Sequence, residues 1–300
     1  MRLTSTLRAA IAASGIVVLI AGCGTNSMHS TNHGTTNTST LASVPAPSGM
    51  PGMTMPGMTE PMPAGDGLAA AQSGFTLVPA TTTIPANTAT TFTFRITGPD
   101  RAPVTQFVPE QTKLLHFYLI RSDLSSFDHL HPTMAADSTW STTLPAMAPG
   151  SWRAYTQFAV HHPGDVTVPL VLSTPLTVPG EATLGIPPPS STATIDGYTV
   201  TVSGQPIAGQ ESQLTLDFSS NGLPITDLQP YLDTYAHVTA IHAANLAFAH
   251  LHPTNTVNGS HGGPKLTIES ALPASGDWRL FIEFQTAGTV HTAQMTLRVG

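Results

Sequence analysis

The chain has 300 residues, a formal net charge of −7, 9% charged side chains and a single cysteine. With two lysines only, Lys113 and Lys265, it has no basic patch for nucleic acid, and one cysteine excludes an intramolecular disulfide framework. Thr, Val, Ala, Gly and Pro are plentiful, and no long apolar pattern of helical period follows the N-terminal segment, so the composition points to an all-β protein.

Arg2 and Arg8 precede an apolar run, Ala9 to Ile20, too short to span a bilayer and shaped like a secretory signal. It ends in Leu19-Ile20-Ala21-Gly22-Cys23, small residues before a cysteine, which match the bacterial lipoprotein signal. The expectation is a signal peptide over residues 1–22, cleavage before Cys23, lipidation of its sulfur, and anchorage to the outer face of the cell membrane. The alternative is an ordinary signal with a chance cysteine. Loss of Arg2 and Arg8 with the signal takes the net charge from −7 to −9.

Residues 23–72 are rich in Ser, Thr, Asn, Gly and Pro, with almost no large apolar side chains to build a core, and read as a disordered tether. Five of the ten methionines fall between Met50 and Met62. Thioether sulfur is a soft ligand that selects Cu(I), which makes Met50, Met53, Met55 and Met58 candidate copper ligands. The alternative is a Pro-Gly linker in which methionine is incidental.

Residues 73–179 read as a first β-sandwich. Phe75–Val78 and Thr91–Ile96 alternate like half-buried strands. Lys113–Arg121, Ser125–His131, Ser151–Val160 and Val166–Val178 follow, with His161 and His162 in a turn. Residues 180–194, with Pro187, Pro188 and Pro189, read as a stiff linker. Residues 195–300 then repeat the plan with strands at Tyr198–Val202, Gln213–Phe218, Tyr235–Ile241, Leu246–His252, Lys265–Ser270, Asp277–Gln285 and Val290–Val299. The fold class expected is all-β, two tandem immunoglobulin-like sandwiches in a row.

The repeat is explicit at one stretch. Phe127-Asp128-His129-Leu130-His131-Pro132-Thr133 returns as Phe248-Ala249-His250-Leu251-His252-Pro253-Thr254, an offset of 121 (248 less 127) that also takes His116 to His237. Further on the offset is 126 (276 less 150), pairing Gly150 with Gly276, Trp152-Arg153 with Trp278-Arg279, and Phe158 with Phe284. This is a tandem duplication of a domain-sized unit.

Side chains two apart on a strand share a face. His129 and His131 therefore project together, and the strand of His116 can pair antiparallel with theirs through a turn at Ser122-Asp123. His116, His129 and His131, with Met134, are the candidate metal ligands of the first unit; His237, His250 and His252 are those of the second, where Asn255 replaces Met134. The alternative is that Phe127 and Phe248 mark this face as sandwich interior, with neutral imidazoles bonded to backbone. The Trp-Arg pairs read as core and strand packing.

Tandem His-Leu-His-Pro units, each followed by a Gly-x-Trp-Arg strand, resemble a family of actinobacterial exported proteins described as heavy-metal-binding or copper-associated. These are similar in fold to the CopC and YtkA-like periplasmic copper proteins. The resemblance covers both sandwiches from about Thr91 onward and implies extracytoplasmic copper, Cu(I) or Cu(II), as the ligand. The amino-terminal histidine ligand of CopC has no counterpart where Cys23 is the mature terminus. No nucleophile elbow or phosphate loop is present, so binding rather than catalysis is expected. The sequence therefore suggests a surface lipoprotein that sequesters or delivers copper, with the membrane and a copper transporter or other envelope copper protein as partners. The alternative is an immunoglobulin-like cell-envelope interaction module whose histidines are structural.

Overall fold

Alternating apolar residues lay down the strands from which both sandwiches are built. Phe92, Phe94 and Ile96 point inward while Thr93 and Arg95 do not; Leu214, Leu216 and Phe218 repeat the pattern in the second half. A computed structural model describes residues 65–162, 166–183, 185 and 187–300. The signal segment, Cys23 and the tether methionines Met50, Met53, Met55 and Met58 lie outside the described residues.

The first half contains β1 (Ala71–Gln72), β2 (Phe75–Pro79), β3 (Thr90–Thr97), β4 (His116–Arg121), β5 (Phe127–Leu130), β6 (Thr133–Met134), β7 (Trp140–Leu144), β8 (Gly150–His162) and β9 (Val166–Val178). One sheet has the order β1-β2-β3-β7-β6 and the other β5-β4-β8-β9. Their inner faces enclose Phe92, Phe94, Phe117, Trp140, Trp152 and Phe158. The second half contains β10 (Thr192–Ile195), β11 (Tyr198–Ser203), β12 (Ser212–Ser220), β13 (Leu223–Pro224), β14 (His237–His242), β15 (Phe248–Leu251), β16 (Lys265–Ser270), β17 (Gly276–Thr286) and β18 (Thr289–Val299). Here β10-β11-β12-β13, with β16 also paired to β12, faces β15-β14-β17-β18 across a core that includes Phe218, Trp278 and Phe284. The chain is all-β, two immunoglobulin-like sandwiches.

The Gly-x-Trp-Arg elements open β8 and β17. Gly150 and Gly276 have φ of 139° and 123°, and a Cβ on Gly276 would lie 2.9 Å from His242 Nε2, so glycine is required there. Trp152 and Trp278 are core residues whose indole N–H groups donate to Ala148 O at 3.0 Å and Ala274 O at 2.9 Å. His161 and His162 end β8 rather than occupying a turn, because the strand runs further than its apolar alternation suggests.

The sandwiches are not strung out in a row. They belong to one compact unit, and the sheets containing β4 and β14 pack against each other. Both strands are consequently buried at all six positions. Tyr118, Ile120, Leu124, Tyr155 and Val171 meet Ile241, Phe248 and Phe281 in a third apolar cluster. Phe127 stacks on Phe281 with centroids 4.3 Å apart and planes 9° apart, and Tyr155 packs on Phe248 at 5.3 Å. These contacts are reciprocal, since Phe127 corresponds to Phe248 and Tyr155 to Phe281. Each buried aromatic contributes roughly 1.5–3 kcal/mol.

Candidate metal centre

Each half builds its trio of histidines on one hairpin. In the first, β4 and β5 pair with Tyr118 opposite His129 and Phe117 opposite Leu130. Arg121 and Asp123, 2.7 Å apart, close the turn. Alternation sends Phe117 and Leu119 into their own core and Tyr118 and Ile120 toward the second half, with His116 beside His237. In the second, β14 and β15 pair with Thr239 opposite His250. His131 and His252 lie one residue beyond the ends of β5 and β15.

All six rings form one cluster where the halves meet. Centroids are 5.2 Å apart for His116 and His129, 5.1 Å for His116 and His131, and 4.6 Å for His129 and His131. The second trio is as close, at 4.1 Å for His237 and His250 and 4.3 Å for His250 and His252. Across the halves His129 lies 4.8 Å from His237. In each trio one nitrogen per ring falls within 4.8 Å of the others. His116 Nδ1 is 3.0 Å from His129 Nε2, and His250 Nε2 is 3.1 Å from His252 Nε2. Tetrahedral bonds of about 2.05 Å require nitrogens about 3.3 Å apart, so these pairs stand within a few tenths of an ångström of a metal's needs. His129, His237 and Glu283 make a further trio of the same kind.

Hydrogen bonding fixes which nitrogens are free. A carbonyl only accepts, so His116 Nε2 donates to Glu110 O at 3.1 Å, leaving Nδ1 as a lone pair. His129 Nε2 must then donate to it, and His129 Nδ1 is left as a lone pair facing Glu283 Oε2 at 2.6 Å. The proton of that contact belongs to the carboxyl. In the second half His250 Nδ1 donates to Gln157 Oε1 at 2.6 Å, which also accepts from the Tyr118 hydroxyl at 3.3 Å. His237 Nε2 therefore donates to the Tyr118 oxygen at 3.1 Å, and its Nδ1 lone pair has no partner among the described residues. His131 Nε2 is likewise buried and unpartnered.

Burial dominates the electrostatics. It lowers the pKa of His116, His131 and His252 from 6.5 to about 4. His129, His237 and His250 are pushed well below 6.5 by burial first and by neighbouring imidazoles second. The buried Glu283 carboxyl rises to about 8, in keeping with the proton it holds toward His129. The rings are thus neutral at physiological pH, the form that binds metal.

Each half also steadies a ligand of the other. Gln157 and Glu283 occupy equivalent places, paired across β4 and β14 with His116 and His237, yet their side chains reach His250 and His129 of the opposite half. Sequence reasoning passed over both. The signal available was the offset of 126 that pairs Phe158 with Phe284, one residue further along.

The six histidines named from sequence are therefore brought together in two facing trios. They lie at the junction of the halves rather than inside a sandwich, because the sheets bearing them cover one another, with His131 and His252 partly exposed. Met134 differs. Its side chain packs with the core of the first sandwich, which corrects the expectation of a thioether ligand: β6 belongs to the sheet of β7, not to that of β5.

A family model described as a domain of unknown function (DUF8832) matches residues 193–300, the second sandwich. No curated protein matches the chain. Similar solved structures include the Escherichia coli adhesin FdeC, 18% identical over 77% of this chain and 66% of that one, with a TM-score of 0.25. Others are the Yersinia pseudotuberculosis adhesin InvE, 14% identical over 76% and 59% with a TM-score of 0.23, and the Ig1-2 module of the Drosophila receptor tyrosine phosphatase DLAR, 10% identical over 75% and 98% with a TM-score of 0.19. The chain spans less than two thirds of either adhesin chain. Likenesses at these scores bear on neither partner nor activity.

Proposed function

We propose that the protein is an extracytoplasmic transition-metal-binding protein that holds two ions, one in each histidine trio, with copper as the favoured metal. The observation that carries this reading is the pair of trios with nitrogens within 4.8 Å, each completed by a buried nitrogen without a hydrogen-bond partner. An unsatisfied buried polar atom is costly, and a metal ion at the convergence of three lone pairs removes that cost. Three neutral imidazoles suit copper and zinc. Binding displaces the His129 Nε2 proton at the first trio and the His252 Nε2 proton at the second. The chain would bind rather than catalyse, being exported, anchored through Cys23, and supplied with Cu(I) by Met50, Met53, Met55 and Met58 for storage or for a copper transporter or another envelope copper protein.

Metal titration of the full chain against a competing chelator tests this reading. Two equivalents of Cu(I) or Cu(II) bound tightly, with a rise in melting temperature, are expected. No binding tighter than about micromolar and no change in melting would overturn it. A second reading, an immunoglobulin-like envelope module in which the imidazoles only join the halves, draws on their burial and on their bonds to one another, and it expects that negative outcome.

A further inference from the structure

Gln111 belongs to the first half, but its side chain sits on the second half's trio. It occupies a tight turn closed by reciprocal backbone bonds, Glu110 N–H to Lys113 O and Lys113 N–H to Glu110 O, both 2.9 Å. Gln111 and Thr112 have φ of 46° and 70°, the left-handed region in consecutive non-glycine residues, one of them β-branched. Such a conformation is disfavoured and persists where the surroundings hold it. The turn brings the Gln111 amide into contact with His252 Nε2. Gln111 Oε1 is buried and without a hydrogen-bond partner.

The contact is not a satisfactory hydrogen bond as it stands. His250 Nε2 is a lone pair, so His252 Nε2 donates to it, and the amide nitrogen of Gln111 is also a donor. Two donors that face each other beside a carbonyl oxygen without a partner mark an amide whose oxygen and nitrogen belong the other way round. Turning the amide over, an assignment fixed only by its partners, presents Oε1 to His252 Nε2, which lies 3.1 Å from His250 Nε2 and belongs to the trio with His237.

We infer that Gln111 supplies the fourth ligand, an oxygen, to the metal site of the second half, an inference that rests on the metal-binding reading above. The donor set becomes three imidazole nitrogens and one amide oxygen, suited to a divalent ion of the zinc or Cu(II) class. The first half's site has no such donor from the equivalent turn. There Leu232 and Asp233 keep the left-handed φ of 54° and 59° between Tyr231 and Thr234, so duplication preserved the turn but not the amide. The two sites are therefore unlike among the described residues, the second with an amide oxygen beside its imidazoles and the first with none from the equivalent turn.

The test is stepwise titration of the full chain with Zn(II) against a chelator, and with Co(II) followed by visible absorption. Wild type, Gln111→Leu and Gln111→Glu are compared, with apo melting as the check on folding. Wild type is expected to bind two ions with one step tighter. Gln111→Leu should weaken that step by about tenfold or more and alter the spectrum of one Co(II) equivalent, while Gln111→Glu, which keeps an oxygen, should restore both. Two ions bound by wild type with both steps unchanged in Gln111→Leu would overturn the inference and leave the metal-binding reading standing. No Zn(II) or Co(II) bound by wild type would overturn the inference, whereas the metal-binding reading stands or falls with its own copper titration.

Discussion

Gln157 Oε1 lies 2.6 Å from His250 Nδ1, and Glu283 Oε2 lies the same distance from His129 Nδ1. The exchange is reciprocal but unequal, because one arm is an amide and the other a carboxyl. Gln157→Ala should leave His250 Nδ1–H and the Tyr118 hydroxyl without their acceptor, costing about 1–3 kcal/mol of apo stability. It should also weaken metal binding at the opposite half's site by roughly 10–100-fold, read by titration. A loss confined to the site of Gln157's own half would contradict the arrangement.

Glu283→Gln should separate the carboxyl from its geometry. A group raised from 4.5 to about 8 by burial contributes stability that is fully present below about pH 4.5 and lost as pH rises through about 8. Wild-type apoprotein should therefore lose stability across that alkaline limb, and Glu283→Gln, whose amide N–H can donate to His129 Nδ1, should not. Denaturant unfolding between pH 5 and 9 measures the difference; parallel curves would refute it.

Acid should act on the histidines in the opposite sense. Rings held at about 4 in the folded state and near 6.5 in the unfolded chain take up more protons on unfolding, so stability falls as pH drops through 6.5 and continues to fall toward 4. His116, fully buried, accounts for about 3 kcal/mol of this. Thermal melts of the apoprotein should show a steep loss below pH 6.5, delayed when metal occupies the lone pairs. A flat profile from pH 7 to 5 would mean that the rings are not buried neutral.

His131→Ala and His129→Ala should behave differently, although the residues are neighbours on one hairpin. The His129 ring is 0% exposed, bonded to His116 and Glu283, and stacked on Tyr118 at 4.4 Å. Its removal should cost about 2–5 kcal/mol before any metal is considered. His131 Nε2 has no hydrogen bond to lose, so His131→Ala should leave apo melting within about 1 kcal/mol while it abolishes tight binding at one of the two sites. Equal metal binding in His131→Ala and wild type would remove it from the ligand set.

Much of this organisation could be read from residue spacing. The alternation of Phe92, Phe94 and Ile96, the punctuation by Gly and Pro, and the two offsets located the strands and the duplication. His-x-His spacing placed His129 with His131, and the turn at Ser122-Asp123 placed His116 beside them. Two things were not legible in these terms. Period-two patterning says which side chains share a face but not what covers it, so the meeting of the halves was missed. The runs His116–Arg121 and His237–His242 carried the hint in their weak alternation of apolar and polar residues, since a strand covered on one side only should alternate, and both are buried throughout. Gln157, Glu283 and Gln111 each reach a histidine across that junction, and no spacing within one half marks them. Met134 failed for a related reason: proximity in sequence to Pro132 does not show that β6 crosses to the other sheet.

The reciprocal packing of Phe127 on Phe281 and of Phe248 on Tyr155 has the form of an isologous contact, the kind a homodimer makes about its twofold axis. In a homodimer every substitution is made twice, so both pockets must stay alike. Joining the subunits in one polypeptide removes that constraint, and the pairs Gln157 with Glu283, Tyr118 with Thr239, and Gln111 with Leu232 are where the copies have parted. An ancestral single sandwich with this face would have paired with itself around two identical pockets. Within one polypeptide, each pocket is free to vary without altering the other.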